Sequence, residues 1–272
     1  MFGGSSVWPM PCRHLSARGL WCEASVLLAE CFDKPTALVR FRGAEHCAVE
    51  DCELTNSGHT AIRLDLHCRE NRVRGNYCHD CSGRYMNAVI RCDDDQHGTL
   101  MEGNICCRTG GNGEGFISKG DNDIINNVVA DLRPAHRHRG YILFPYGSVR
   151  GSTIKHNILY SRRKGQILYY HSRPAGRHGE PPPRLSDTQT DHNLYFCSED
   201  ADWAKSHFDT QRPLGIDRSS LSADPLLVDP DAGDFRFRPN SPAAALGIRP
   251  LDAGKAGLES PYRQRFCDPP QR

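Results

Sequence analysis

The chain lacks several features that would mark its partners at once. Its 34 Lys and Arg are matched by 33 Asp and Glu, a formal charge of +1. The clustered cation surplus behind counterion-release binding to nucleic acid is therefore missing. Long uncharged runs are missing too. The most apolar stretch, 19–32, is broken by Glu23 and Glu30, well short of the ~20 apolar residues of a membrane-crossing helix. Residues 1–11 show no basic segment leading into an apolar core and a small-residue cleavage site, so no secretory signal is visible. Neither nucleic acid nor membrane is an expected partner.

Cysteine is plentiful, thirteen in 272 residues, but paired metal knuckles are absent. Cys78-His79-Asp80-Cys81 is the one Cys-x-x-Cys, and a tetrahedral zinc site would need a second ligand pair at similar spacing. The strand-to-helix setting of a thioredoxin-like motif is also missing. No resident metal is expected from these residues.

Repetition is the informative feature. Runs ending in Asn76-Tyr-Cys, Asn104-Ile-Cys, Asn127-Val-Val, Asn157-Ile-Leu and Asn193-Leu-Tyr share one design: a β-rich run, an Asn, then two mostly apolar residues. Cys52-Glu-Leu is a weaker copy. Each step from one anchor to the next is one solenoid turn, lengthened by insertions in the later copies. A second strand series comprises 38–41, 61–64, 89–92, 116–118, 141–144 and 167–170, giving an expected two strands per turn. Alternation within it sets Val39, Ile62 and Ile90 on one face and Arg40, Arg63 and Arg91 on the other. Helical periodicity fails across the same windows, which disfavours helical repeats.

Stacked turns place like residues over like at the spacing of neighbouring strands. Buried Asn side chains at successive bends can then bond one another and the adjacent backbone, as a structural ladder. Leu54, Cys78, Cys106, Val129, Leu159 and Tyr195, two residues past each anchor, form an expected interior stack. Its thiols, with Cys92, serve there as small hydrophobes. The expected layout is an N-terminal cap or a start in mid-solenoid over 1–35, coils over 36–257, and a tail over 258–272. Leu15 to Glu30 is read as an amphipathic capping helix. Two insertions, 172–190 and 199–222, interrupt the coils, and the second holds a short helix over 201–211.

With these repeats, the chain resembles the right-handed parallel β-helix proteins of the pectate-lyase-like superfamily. The resemblance covers about residues 36–257 and is strongest at Asp191-His-Asn-Leu-Tyr195 and in the closing segment Ala223 to Gly247. It implies an all-β right-handed solenoid of about six coils, a polysaccharide or oligosaccharide partner, a single-chain state, and export to the periplasm or exterior.

Ala61-Ile-Arg-Leu-Asp65 and Val89-Ile-Arg-Cys-Asp93 are one repeat apart, so Arg63 is expected over Arg91 with Arg40 one coil before, and Asp65 over Asp93. Such columns are either a solvated mosaic of ion pairs or a catalytic arrangement. Carboxyls roughly 5 to 5.5 Å apart suit retaining glycosidases and roughly 6.5 to 9.5 Å inverting ones. Asp93-Asp94-Asp95-Gln-His-Gly98-Thr99 resembles an Asp-Asp-x-x-x-Gly-Thr stretch of β-helix glycoside hydrolases. The resemblance implies Asp93 and Asp94 as catalytic groups, to which the register adds Asp65. Arg40, Arg63, Arg91, Lys119 and His59 are the expected substrate-binding groups.

Hydrolysis is the preferred reading. Calcium at the Asp triplet is a secondary expectation, because the spaced Glu of a calcium loop is absent. The rival enzyme is a polysaccharide lyase acting on a uronate, in which Arg63, Arg91 and Lys119 neutralise the carboxylate or act as base, with His59 or His67 as alternative bases. A non-catalytic carbohydrate-binding solenoid would use aromatic platforms, for which Tyr141, Tyr146, Tyr169 and Tyr170 are the candidates.

Overall fold

The computed structural model describes residues 13–23, 37–81, 88–94, 96–109, 114–132, 140–144, 147–164, 167–171 and 183–259. They form a parallel solenoid of three sheets. The first sheet has seven strands: Ser16–Arg18, Ala48–Glu50, Arg72–Arg74, Gln96–Glu102, Gly120–Ile125, Thr153–Lys155 and Gln189–Asp191. The second has eight: Trp21–Glu23, Glu53–Thr55, Tyr77–His79, Ile105–Cys107, Val128–Ala130, Ile158–Ser161, Leu194–Cys197 and Leu221–Ser222. Ala37–Arg42, Thr60–Asp65, Ala88–Cys92, Glu114–Ile117, Gly140–Phe144 and Ile167–His171 make the third. The chain visits the three in turn, so each coil carries three strands and not the expected two.

The third strand comes from a bend within what reads as one run. Ahead of each anchor stands a residue with positive φ: Asp51, Gly75, Gly103, Asn126, His156 and His192. It swings the chain from the first sheet to the second. Asp and Asn tolerate this left-handed conformation and Gly has no Cβ to oppose it.

Immediately after that bend, the anchors form the expected ladder. Asn76 Nδ2 donates to Asn104 Oδ1 at 2.9 Å, Asn104 Nδ2 to Asn127 Oδ1 at 3.0 Å, Asn127 Nδ2 to Asn157 Oδ1 at 3.0 Å and Asn157 Nδ2 to Asn193 Oδ1 at 3.1 Å. Each Oδ1 also accepts the backbone N–H of the anchor one coil before, beginning at Cys52, and each Nδ2 donates to a carbonyl such as Val49 or Val73. All five amides are buried. Asp217 ends the series, accepting from Asn193 Nδ2 at 3.1 Å. It also accepts from Tyr195 Oη at 2.8 Å and faces His207 Nε2 at 2.7 Å.

The interior stack is in register as expected: Cys22, Leu54, Cys78, Cys106, Val129, Leu159 and Tyr195. From Leu54 onward it is fully buried. The described cysteines are free thiols, and burial raises those of Cys78 and Cys92, which fits hydrophobic filling.

One expectation fails near the N terminus. The capping helix over Leu15–Glu30 does not form across 16–23. Ser16–Arg18 pairs with Ala48–Glu50, and Trp21–Glu23 with Glu53–Thr55. Gly19, at φ +61°, supplies the same left-handed corner as the later coils. Residues 1–12 and 24–36, most of the expected loop 172–190, and the tail from 260 onward lie outside the described residues.

Helix Lys205–Gln211 is shorter than the expected 201–211 and tightens into a 3-10 turn at Arg212–Leu214, where Pro213 removes an amide donor. Past the last coil, the chain runs back along the left-handed corners. His156 Nδ1 donates to Leu246 O at 2.7 Å, Arg249 N to Asn126 Oδ1 at 2.7 Å and Gly257 N to Asp51 O at 2.8 Å. This C-terminal strap therefore touches coils far apart along the axis.

Asn104→Leu would strip acceptors from the Asn76 amide groups and donors from Val73 O and Asn127 Oδ1. At ~1–3 kcal/mol for each buried group left unsatisfied, urea denaturation should show a loss of roughly 3 kcal/mol or more. Glu50→Ala, on the outer face, should stay within about 0.5 kcal/mol.

Candidate functional site

The outer face of the third sheet carries the sequence candidates. Alternation turns Ile62 and Ile90 into the core and Arg63 and Arg91 outward, and parallel register pairs Arg40 with Arg63 and Arg63 with Arg91. One position on, Leu64 pairs with Cys92, which brings Asp65 and Asp93 to adjacent coils just beyond them. Ile117 follows Arg91 in the next coil, and Lys119, two residues further, reaches Asp93.

These side chains form a closed network. Arg63 stands between the two carboxylates: its Nε donates to Asp65 Oδ2 at 3.3 Å, and its Nη2 to Asp93 Oδ2 at 2.7 Å. Arg40 grips Asp65 from the preceding coil, with Nε 3.0 Å from Oδ2. Arg91 Nε donates to Asp93 Oδ2 at 2.8 Å, and Lys119 Nζ is paired with Asp93 Oδ1. Arg63, Asp65, Arg91, Asp93 and Lys119 are all buried, whereas the Arg40 side chain keeps 30% of its exposure. A solvated mosaic is therefore not what forms. Two carboxylates and three of the four cations are withdrawn from water and hold one another, Asp65 shared by Arg40 and Arg63, and Asp93 by Arg63, Arg91 and Lys119.

Burial alone would raise the Asp93 carboxyl. Arg91, Lys119 and Arg63 together outweigh it and hold the group well below the ordinary carboxylate range. An acid so strongly ionised has no proton to lend at neutral pH. Asp94, third of the expected carboxyls, sits on a left-handed residue (φ +54°) and takes the Leu66 N–H at 3.2 Å. Its charge reaches Arg40 along with those of Asp65 and Asp93, but Asp65 and Asp93 are tied up in arginine pairs.

His59 behaves differently. It sits just before Thr60 at the start of the second coil's strand, half-buried, with Nδ1 3.1 Å from Thr60 Oγ1. Burial, then the charges of Arg91 and Arg63, lower its imidazole to about 4. At neutral pH it is an uncharged base beside two guanidiniums. His67, the other candidate, is exposed on the turn after Asp65.

The aromatic platform is not assembled from the described tyrosines. Tyr141 is buried and donates to Tyr160 O at 2.7 Å, and Tyr169 bonds Tyr195 Oη at 2.9 Å inside the coil. Tyr146 and Asp95 lie outside the described residues, as does the side chain of Tyr170. Among the described residues, no group of three or more His, Cys, Asp or Glu is arranged to hold a metal ion.

Sequence reasoning missed a second charged cluster, on the outer face of the second sheet. His79 Nδ1 lies 2.7 Å from Asp80 Oδ2, and Arg108 Nη2 donates to that oxygen at 2.9 Å and to Tyr77 Oη at 3.2 Å. Burial works against the His79 cation, but Asp80 and Glu53 outweigh it and raise the imidazole. The available signal was Asp80 and Arg108 at equivalent places after successive strands. Both take positive φ, so their side chains meet across the coil boundary.

Against known proteins, a family described as "Right handed beta helix region" matches residues 32–175, just over half of the 272-residue chain. No curated protein and no solved structure matches.

The network sets the acid response. Asp93 is lowered in the folded state, so its contribution is complete above the unfolded value near 3.9 and is lost as pH falls toward the folded value. The lowered imidazole of His59 adds a separate loss as pH falls from about 6.5 to about 4, because the unfolded chain binds that proton more readily. Asp93→Ala leaves three buried cations facing a missing charge and should cost about 3–5 kcal/mol at pH 7. His59→Gln should flatten only the limb between pH 6.5 and 4. Urea midpoints across pH 3–8 measure both.

Proposed function

The chain belongs to the right-handed β-helix family, and we propose that it acts on an acidic polysaccharide by β-elimination at the outer face of its third sheet. Family and fold together fit pectate-lyase-like carbohydrate-active proteins. The observation that carries the finer reading is the place of His59, half-buried and bonded through Nδ1 to Thr60 Oγ1 at the head of the strand that carries Arg63, where burial and the charges of Arg91 and Arg63 lower its imidazole.

Elimination from a uronate needs a base at C5 and positive charge on the C6 carboxylate, which makes the C5 proton acidic. His59 supplies the first. With its Nδ1–H donated to Thr60 Oγ1, Nε2 holds the lone pair. Arg40, the exposed member of the cation column, meets the sugar carboxylate through Nη1, on the guanidinium edge turned from Asp65, and Arg63 and Arg91 add their field from beneath. The C5–H bond breaks as Nε2 takes the proton. Its electrons form the C4=C5 double bond, the C4–O bond breaks, and the leaving oxygen is protonated by water. The products are a fragment with an unsaturated uronate at its new non-reducing end and a fragment with a new reducing end.

Asp65 and Asp93 then serve as counter-charges that keep the arginines in one column, which is a positioning role. Carboxylate acid/base hydrolysis receives less support, because Asp93 is held ionised, Asp65 is gripped by two arginines, and Asp94 is bonded to the Leu66 N–H.

Incubation with polygalacturonate, alginate and glycosaminoglycan panels should produce absorbance in the ultraviolet from the conjugated uronate. His59→Ala should lower that rate at least about 100-fold, within the range typical of a lost general base, with melting unchanged. Wild-type activity should persist to about pH 4, where the imidazole protonates. New reducing ends without ultraviolet absorbance would favour hydrolysis, and binding without either product would favour a non-catalytic solenoid.

A further inference from the structure

A second charged groove lies on another face of the molecule, between the outer surface of the first sheet and the C-terminal strap. It encloses about 650 Å³, within the range of sites that hold a small ligand. Down its floor run Arg18, Glu50, Arg74 and Glu102, one per coil and in register. Arg72 stands beside Arg74 on the same exposed face, and Arg249 and Lys255 project from the strap as the opposite wall.

The charges do not cancel. Arg18 pairs with Asp51 at 3.0 Å, Arg74 lies 3.5 Å from Glu102, and Arg249 also reaches Glu102. Arg72 and Lys255 have no carboxylate partner among the described residues, and five cations face three carboxylates across the groove. Unlike the network on the third sheet, these groups are solvent-facing and open to a ligand.

We propose that this groove binds a second acidic oligosaccharide segment, independently of the chemistry at His59. The alternation of sign selects the ligand class. A phosphodiester backbone offers anions but would meet Glu50 and Glu102 with repulsion. A uronate chain offers both parts: carboxylates for the forks of Arg72 and Arg74 and for Lys255, and sugar hydroxyls that donate to Glu50 and Glu102. The strap closes one side, and the parallel stack of coils lets the ligand lie along the solenoid axis.

A galacturonate tetramer titrated calorimetrically into the 272-residue chain at low salt tests the groove. His59→Ala serves as the host, so that turnover cannot consume the probe. Arg72→Glu/Lys255→Glu, two exposed substitutions outside the ion pairs above, should remove one binding event per chain or weaken it roughly tenfold or more. Fully methyl-esterified tetramer should bind the host no better than it binds the double variant. Unchanged stoichiometry and affinity in the double variant overturns the proposal, and so does equally tight binding of a single-stranded oligodeoxynucleotide of matched charge. Should the double variant melt early, Arg72→Gln replaces it with the same readout. Absence of ultraviolet-absorbing product from the parent chain counts against elimination at His59 and leaves this binding measurement intact.

Discussion

The rest of the molecule depends on the pairing of one buried amide with the next along the axis. Each asparagine side chain satisfies its neighbour's backbone N–H and a carbonyl from the coil before, so a coil shifted by one residue would leave several polar groups buried without partners. A two-residue slip would keep the apolar face inward, and the interior stack of thiols and aliphatic side chains would resist it little, yet it too would break the amide series. Register is thus a polar property of this solenoid, and volume is filled around it.

Fixed register is what gives the outer faces chemical meaning. On the third sheet it brings three arginines, a lysine and two aspartates from four coils into one network. The balance of burial and charge then favours the deprotonated form of two groups, with opposite consequences for their charge. Asp93 remains charged because its cations outweigh desolvation, and His59 remains uncharged because burial and those same cations act together. On the first sheet the equivalent columns stay wet, so neighbouring charges interact weakly and keep capacity for another molecule.

Much of this was legible in the chain because it repeats. The anchor positions, the interior stack and the column Arg40, Arg63, Arg91 follow from recurrence and two-residue alternation, both of which the parallel pairing preserves. The division between the first and second sheets was hidden because a single left-handed residue splits what looks like one strand, and Asp51, Asn126 and His156 carry no stronger mark of that role than their side-chain type. Ser16–Arg18 and Trp21–Glu23 escaped because three residues are too few to show alternation and the anchor after Gly19 is Leu20. The carboxylates were placed correctly along the axis but not in their state: whether neighbouring acids confront one another or are separated by Arg63 depends on side-chain reach, which periodicity does not encode. The strap was invisible for another reason: it docks by burying Leu246 and Ile248 against Ile105, Val128 and Ile158 and by main-chain bonds to Asn126 and His156, contacts with distant coils that no repeat announces.

That strap changes how the solenoid can come apart. A stack in which each repeat touches only its neighbours melts progressively, its terminal units peeling away first at little expense to the middle. Here the segment from Leu246 to Gly257 clasps the coil of His156 and the coil of Asp51 together. Fraying at the beginning of the chain therefore has to release the end as well. Cooperativity, ordinarily short-ranged in a linear array, becomes a property of the whole length, and the folded and unfolded populations approach a single all-or-none equilibrium.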